Sequence, residues 1–262
     1  MRRLSIISIA IGTIIAASSC SVKEDRDECP CWLQIDLSGC VHFGPEVQLK
    51  GWNAEKNVLG SKVYEEDYSA LYEAEVPRGE VSYCAVTGIE ENRTSGTEIL
   101  IPEGEQSDRI FAYRADVMTD GEAAYDKVHL HKQYATVTMS FAESEGMAVN
   151  DISAEIVSPW SGISLRSLQP TEGSFRYRPE RNPEGLWTFR LPRQGDDSIA
   201  MNVYSENQLI DTIRLGETIS NTGYDWTADD LDDIWIGVDW AQGEISVRIE
   251  GWDPGQIYTE TI

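Results

Sequence analysis

The sequence predicts an all-β protein, two β-sandwich domains in tandem behind an export signal. Three observations carry that prediction. Tyrosine (11), tryptophan (8) and glycine (21) are frequent and aliphatic runs are short, which suits half-buried pleated strands better than helices. Apolar residues recur at every second position in short segments, with turn residues between the segments. No heptad, no strand–helix–strand rhythm and no fixed repeat interrupts the pattern.

The N-terminus sets the compartment. Arg2 and Arg3 precede an apolar run over 4–17, and Ala16, Ala17, Ser18 and Ser19 lead into Cys20. A permanent membrane span needs about 20 apolar residues, so residues 1–19 read as a cleaved signal. The small residues before the cysteine resemble a bacterial lipobox, with Ala17 where leucine is usual. That resemblance implies acylation of Cys20, the alternative being an ordinary secretory signal with an incidental cysteine. Residues 20–30 are polar and densely charged; they bury nothing and form a tether.

Loss of the signal removes two arginines and no acids, taking the formal charge from −24 to −26. A chain so acidic repels phosphate backbones and anionic headgroups, which disfavours nucleic acid as a partner and leaves the acyl chains as the expected membrane contact.

Strands follow in order. Cys31, Leu33, Ile35 and Leu37 alternate with Trp32, Gln34 and Asp36. Val47 with Leu49 suggests a second strand. Tyr68, Ala70, Tyr72, Ala74 and Val76 alternate up to Pro77-Arg78-Gly79, and Val81, Tyr83 and Ala85 resume, predicting a hairpin over 68–87. Ile110 with Ala112 suggests another strand. Residues 119–127 are polar, Gly-containing and weakly periodic, so the division is placed there, giving domains 31–125 and 126–262. The second half carries apolar faces at Ala135, Val137, Met139 and Phe141; Trp187, Phe189 and Leu191; Ile199, Met201 and Val203; Ile234, Ile236 and Val238; and Ile245, Val247 and Ile249.

Four cysteines besides Cys20 remain: Cys29, Cys31, Cys40 and Cys84. In an oxidising compartment they predict at least one disulfide, with Cys84 as a member and worth about 2–4 kcal/mol. A Cys29–Cys31 bond would close a strained ring, and the connectivity is open. Zinc on four thiols is the disfavoured alternative.

No H-E-x-x-H, G-x-S-x-G, P-loop or G-x-G-x-x-G occurs, so no catalytic residue, metal or cofactor is assigned. His129 and His131 share one side of a strand, but His42, the remaining histidine, lies in the other domain. Asp229, Asp230, Asp232 and Asp233 lack EF-hand spacing, and Thr227 before them suits the start of a short helical turn. The tryptophans raise a sugar-binding alternative, and Asn92-Arg93-Thr94 matches a glycosylation sequon by chance.

The stretch CSVKEDRDECPCWLQIDLS over 20–38 resembles the start of the FimB-type fimbrial anchor lipoproteins of Bacteroidales-like bacteria: a lipidated cysteine, a charged tether, a Cys-Pro pair and the first strand. Leu191-Pro192-Arg193, Ile213-Arg214-Leu215-Gly216, Gly223-Tyr224-Asp225-Trp226 and Asp230-Leu231-Asp232-Asp233-Ile234 are similar to the family's closing strands. His131-Lys132-Gln133-Tyr134-Ala135-Thr136-Val137-Thr138 is similar to the start of its second domain. The resemblance implies transthyretin-like sandwiches and a non-enzymatic, surface-exposed outer-membrane lipoprotein at the base of a fimbrium, partnered by shaft subunits through β-strand complementation. In shaft subunits of the family an arginine-specific protease removes the first strand, whereas an anchor keeps it. Here no arginine lies between Arg26 and Arg78, so no cut can fall just after residues 31–37. A surface glycan-binding lipoprotein displaying a row of tryptophans is the alternative. After Trp252, Pro254 and Gly255 break the preceding strand. Ile257, Thr259 and Thr261 then alternate as a pairing strand would, which makes 256–262 the candidate donor segment, a disordered tail being the other reading.

Cys20→Ser is expected to release an otherwise folded protein into soluble fractions. Persistence of the variant in salt-washed outer membranes would exclude lipid as the attachment.

Overall fold

Cys31, Leu33 and Ile35 are fully buried while Trp32 between them is 46% exposed, so the first alternating segment is a strand with one dry and one wet face. In the computed structural model, which describes residues 29–142, 152–239, 244–250 and 258–261, nineteen strands and one short helix follow this logic. Cys20 and the signal lie outside the described residues.

The first sandwich packs two sheets. One has the order β4 (Leu71–Val76), β1 (Cys31–Asp36), β9 (Ala123–Lys127). The other has the order β10 (His131–Lys132), β8 (Phe111–Met118), β5 (Glu80–Thr87), β2 (Glu46–Trp52), β3 (Asn57–Tyr64). Between them Leu33, Ile35 and Leu37 meet Val47, Leu49, Val81, Tyr83 and Ala85 in a dry core that reaches to Val128 and Leu130.

The second sandwich is built the same way. Its first sheet runs β14 (Trp187–Pro192), β11 (Tyr134–Ala142), β17 (Asp233–Asp239), β18 (Glu244–Glu250), β19 (Tyr258–Thr261). Facing it are β16 (Gln208–Ile213), β15 (Ala200–Ser205), β12 (Ile152–Ser164), β7 (Glu98–Leu100) and β6 (Arg93–Ser95), with β13 (Pro170–Tyr177) also on β12. Val137, Met139, Phe189, Leu191, Met201, Val203, Ile234, Ile236 and Val247 fill the space between, and helix α1 (Leu215–Asn221) adds Leu215 and Ile219.

Strands β6 and β7 come from the first half of the sequence yet pair in the second sandwich. Leu100 and Ile99 lie opposite Gly162 and Ile163 of β12, and Gly162 is required there because a Cβ would collide with the Ile99 carbonyl oxygen. A third apolar cluster fills the seam: Trp52, Cys84 and Val86 from the outer face of the β5 sheet meet Ile99, Ile163 and Leu165. Asp108 Oδ2 accepts hydrogen bonds from the amides of Glu90, Glu91 and Asn92 (2.8, 3.0 and 2.8 Å), while Asn92 Oδ1 accepts from the Asp108 amide at 2.8 Å. These bonds close the base of the excursion.

Several expectations change. The hairpin over 68–87 is a crossing between sheets: β4 pairs with β1 and β5 with β2 and β8, and Gly79 (φ +114°) turns the chain across the core. Residues 123–127 form a strand parallel to β1, even though Asp126 faces inward, because the hydroxyls of Tyr83 (2.8 Å) and Tyr113 (3.1 Å) satisfy its carboxylate. The helical turn expected after Thr227 is an Asx turn in which Asp225 Oδ1 accepts from the Thr227 amide at 2.8 Å; the helix lies earlier, at α1. The disulfide through Cys84 is not formed: Cys29, Cys31, Cys40 and Cys84 are all free. Cys31 and Cys40 point into the first core, whereas Cys84 points out of the opposite face of its sheet into the seam, so a bond would have to pass through the sheet.

Leu33→Ala is expected to lower unfolding free energy by about 2–5 kcal/mol, as for other fully buried leucines. Trp32→Ala, one residue away on the wet face, should cost far less. Urea titration of both variants measures the contrast, and equal losses would mean that the two faces are wrongly assigned.

Candidate functional site

The residues singled out in the sequence do not gather into a catalytic centre; they distribute over three structural positions. The first is the slot of β1. This strand is hydrogen-bonded on both sides, antiparallel to β4 and parallel to β9. The Trp32 amide donates to Glu122 O at 3.0 Å at one end, and the Val128 amide donates to Asp36 O at 3.0 Å at the other. Arg78 fastens the start of the strand: Nε donates to Cys29 O at 2.8 Å and Nη1 to Asp120 O at 2.7 Å. Hydrogen bonds from Ser38, and then from Tyr125 and Lys127, hold the Asp36 carboxyl well below the usual carboxylate range.

Three of the thiols, those of Cys31, Cys40 and Cys84, are buried and poor nucleophiles. Burial pushes Cys31 up, Cys40 to about 11 and Cys84 to about 12, which keeps them protonated at neutral pH.

The second position is the passage between the sandwiches, where the acidic cluster works as a clamp. Asp230 Oδ1 accepts from the Lys132 amide at 2.6 Å, and its Oδ2 lies 3.0 Å from His131 Nδ1. Asp233 Oδ1 accepts from Lys132 Nζ (2.5 Å) and the Thr136 amide (2.6 Å). Arg193, buried just beyond β14, donates from Nη2 to Gln133 Oε1 at 2.9 Å and to Ala228 O at 2.8 Å, and from Nη1 to Trp226 O. His131 and the acids therefore meet in space, as partners of one another across the linker. Burial works against the Asp230 carboxylate, but the bonds from His131 and the Lys132 amide outweigh it and hold its pKa below the ordinary value.

The third position is the C-terminal edge. Residues 258–261 pair antiparallel with 244–247 and form the last strand of their sheet. The described part of the candidate donor segment, 258–261, is thus seated on its own sandwich.

The tryptophans form no row among the described residues. Trp52, Trp187 and Trp226 are buried, Trp160 Nε1 donates to Asp196 at 3.0 Å, Trp235 packs over Gly237, and Trp32 is exposed; Trp240 and Trp252 lie outside the described residues. Asn92 is buried, with its amide donating to Gln106 O at 3.0 Å, so the sequon is a structural clamp. The Asn92–Asp108 clamp carried no sequence signal, because its members are 16 residues apart in loops.

No protein-family model and no curated protein matches the chain. Solved structures do. The fimbrial anchor protein Mfa2 from Porphyromonas gingivalis is similar with a TM-score of 0.61 at 13% identity, over 86% of this chain and 98% of that one. A candidate adhesin from Bacteroides ovatus gives 0.62 at 12% identity, over 88% of this chain and 95% of that one. A Bacteroides thetaiotaomicron protein, described as a candidate for polysaccharide binding, gives 0.61 at 14% identity, over 90% of this chain and 98% of that one. The likeness establishes the fold, and the resemblance to fimbrial anchors read from the sequence is matched in three dimensions.

The sign of the Asp230 shift makes the clamp acid-sensitive. The unfolded chain takes up the proton first, so the clamp's stabilisation is present above about pH 4 and is lost as pH falls through the lower folded value. The urea midpoint is expected to fall as pH drops below about 4, and Asp230→Asn should flatten that slope. An identical slope in the variant would show that other carboxylates are responsible.

Proposed function

We propose that this chain is a non-enzymatic outer-membrane lipoprotein that holds a fimbrium at the cell surface. Acylated Cys20 would be its membrane attachment, the first sandwich, which continues past residue 125 through β9 and β10 rather than ending there, would stand nearest the tether, and the second sandwich would face the fimbrial subunits. The observation that carries the reading is the position of β1. It is the middle strand of its sheet, its dry face is a wall of the first core, and no arginine follows it before Arg78. Arg78 itself is tied to two backbone carbonyls. A subunit that keeps its first strand has no empty groove to accept a neighbour, which suits the end of a fibre and not its shaft.

Fibre attachment by β-strand complementation then requires another edge. The segment 256–262 is the proposed donor: among the described residues β19 pairs with β18 alone, so it can leave β18 without breaking a second ladder. The shared fold with a fimbrial anchor supports the same assignment. Glycan binding through a row of tryptophans draws no support from their positions, since three of them fill cores.

Deleting 256–262 is expected to leave the protein lipidated and folded while fimbriae are shed into the medium, scored by immunoblot of medium against cells. Retention in the deletion excludes the tail as donor. Retention in a full knockout excludes the anchor function itself.

A further inference from the structure

The wet face of the β4-β1-β9 sheet has no part in the anchoring argument, and its chemistry is unusual for this acidic molecule. Two aromatic side chains stand on it, Trp32 of β1 at 46% exposed and Tyr125 of β9 at 57%. Trp32 lies opposite Ala123 and Gln34 opposite Tyr125, so the two aromatics sit one strand over and two residues along from each other. Strand spacing and rise put their Cα atoms about 8 Å apart. The sheet beneath is continuous over all three strands.

The polar groups beside the rings, Gln34 and Glu73 in the row of Tyr125 and Asp36 and Lys127 one row further from Trp32, are pre-arranged. Gln34 Nε2 donates to Glu73 Oε1 at 2.7 Å, the Tyr125 hydroxyl donates to Asp36 Oδ2 at 3.0 Å, and Lys127 Nζ lies 3.3 Å from the same oxygen. The hydroxyl bond pins the Tyr125 ring to the sheet at one end and leaves the rest of the side chain open to solvent. Each polar side chain keeps spare donors or acceptors, because an amide, a carboxylate and an ammonium each offer more than one.

We propose that this face binds a neutral pyranose polysaccharide. The C–H groups on one face of a sugar ring carry partial positive charge and match the negative face of an aromatic ring. Two aromatics on adjacent strands offer stacking positions for two sugars of one extended chain, and the Gln34–Glu73 and Asp36–Lys127 pairs offer donors and acceptors to their hydroxyls. Charge narrows the ligand: Asp36, Glu73 and the neighbouring Glu75 outnumber Lys127, so anionic glycans are repelled. A protein partner fits less well, since the cores of protein interfaces are depleted in Asp, Glu and Lys. This function is additional to anchoring and independent of the C-terminal edge.

The test uses the full chain, detergent-solubilised, in native gels containing yeast mannan, xylan or laminarin, with heparin as the anionic contrast. At least one neutral polysaccharide should retard the protein and heparin should not. Trp32→Ala and Tyr125→Ala should each weaken retardation on the order of tenfold, and Trp32→Tyr should restore most of it. Unchanged urea midpoints verify folding, and fimbriae should stay attached to cells carrying either variant. Absence of retardation in all three neutral gels, retardation of both alanine variants equal to that of the unaltered protein, or stronger retardation by heparin overturns the proposal. Shedding of fimbriae by Trp32→Ala with unchanged retardation would make the face a protein-docking site and overturn it as well.

Discussion

Everything in the first sandwich depends on β1 being paired on both sides. Cys31, Leu33 and Ile35 line the core, and the backbone of the strand is satisfied by β4 on one side and β9 on the other. Taking it out would expose one wall of the core and two rows of backbone donors and acceptors together, a loss far beyond what a single side chain supplies. The pairing also brings the start and the end of the domain together, since β9 lies some 90 positions after β1 in the chain and is held parallel to it. Such non-local pairing orders a long stretch of chain before it is rewarded, so it belongs to the late, cooperative part of folding.

The two sandwiches are joined by more than a linker. The β6–β7 excursion adds two strands from one half of the sequence to a sheet of the other, and a separate apolar cluster seals the seam. On the far side, Asp230, Asp233 and Arg193 tie the passage at 131–136 to loops and strands of the second sandwich. Asp230 and Asp233 of the acidic run serve here as hydrogen-bond acceptors for linker amides and side chains.

The sheet edges are treated unequally. β9 carries Asp126 pointing inward, held by two tyrosines, and an inward charge discourages a further strand from joining. β16 carries a register irregularity between Val203 and Tyr204 where it pairs with β15, the kind of break that twists an edge away from neighbours. β19 is a four-residue strand that, among the described residues, pairs with β18 alone at the end of its sheet.

Alternation by itself located β1, β2, β8, β11, β14, β15, β17 and β18, because a strand with one dry face must place apolar residues at every second position. It missed β12, where Pro159 and register shifts between Ser158 and Gly162 break the period, and β9, whose inward acid looks like a loop residue until Tyr83 and Tyr113 are placed beside it. Which sheet a strand joins was beyond the pattern: β4 and β5 read as a hairpin and lie in opposing sheets, and β6–β7 cross into the other sandwich. The same holds for Cys84, whose alternation is legible but whose side of the sheet relative to Cys31 and Cys40 is not. Local periodicity is a property of neighbours in sequence. Partner choice and facing are decided by which distant surfaces exclude water from one another, and only the tertiary structure contains those.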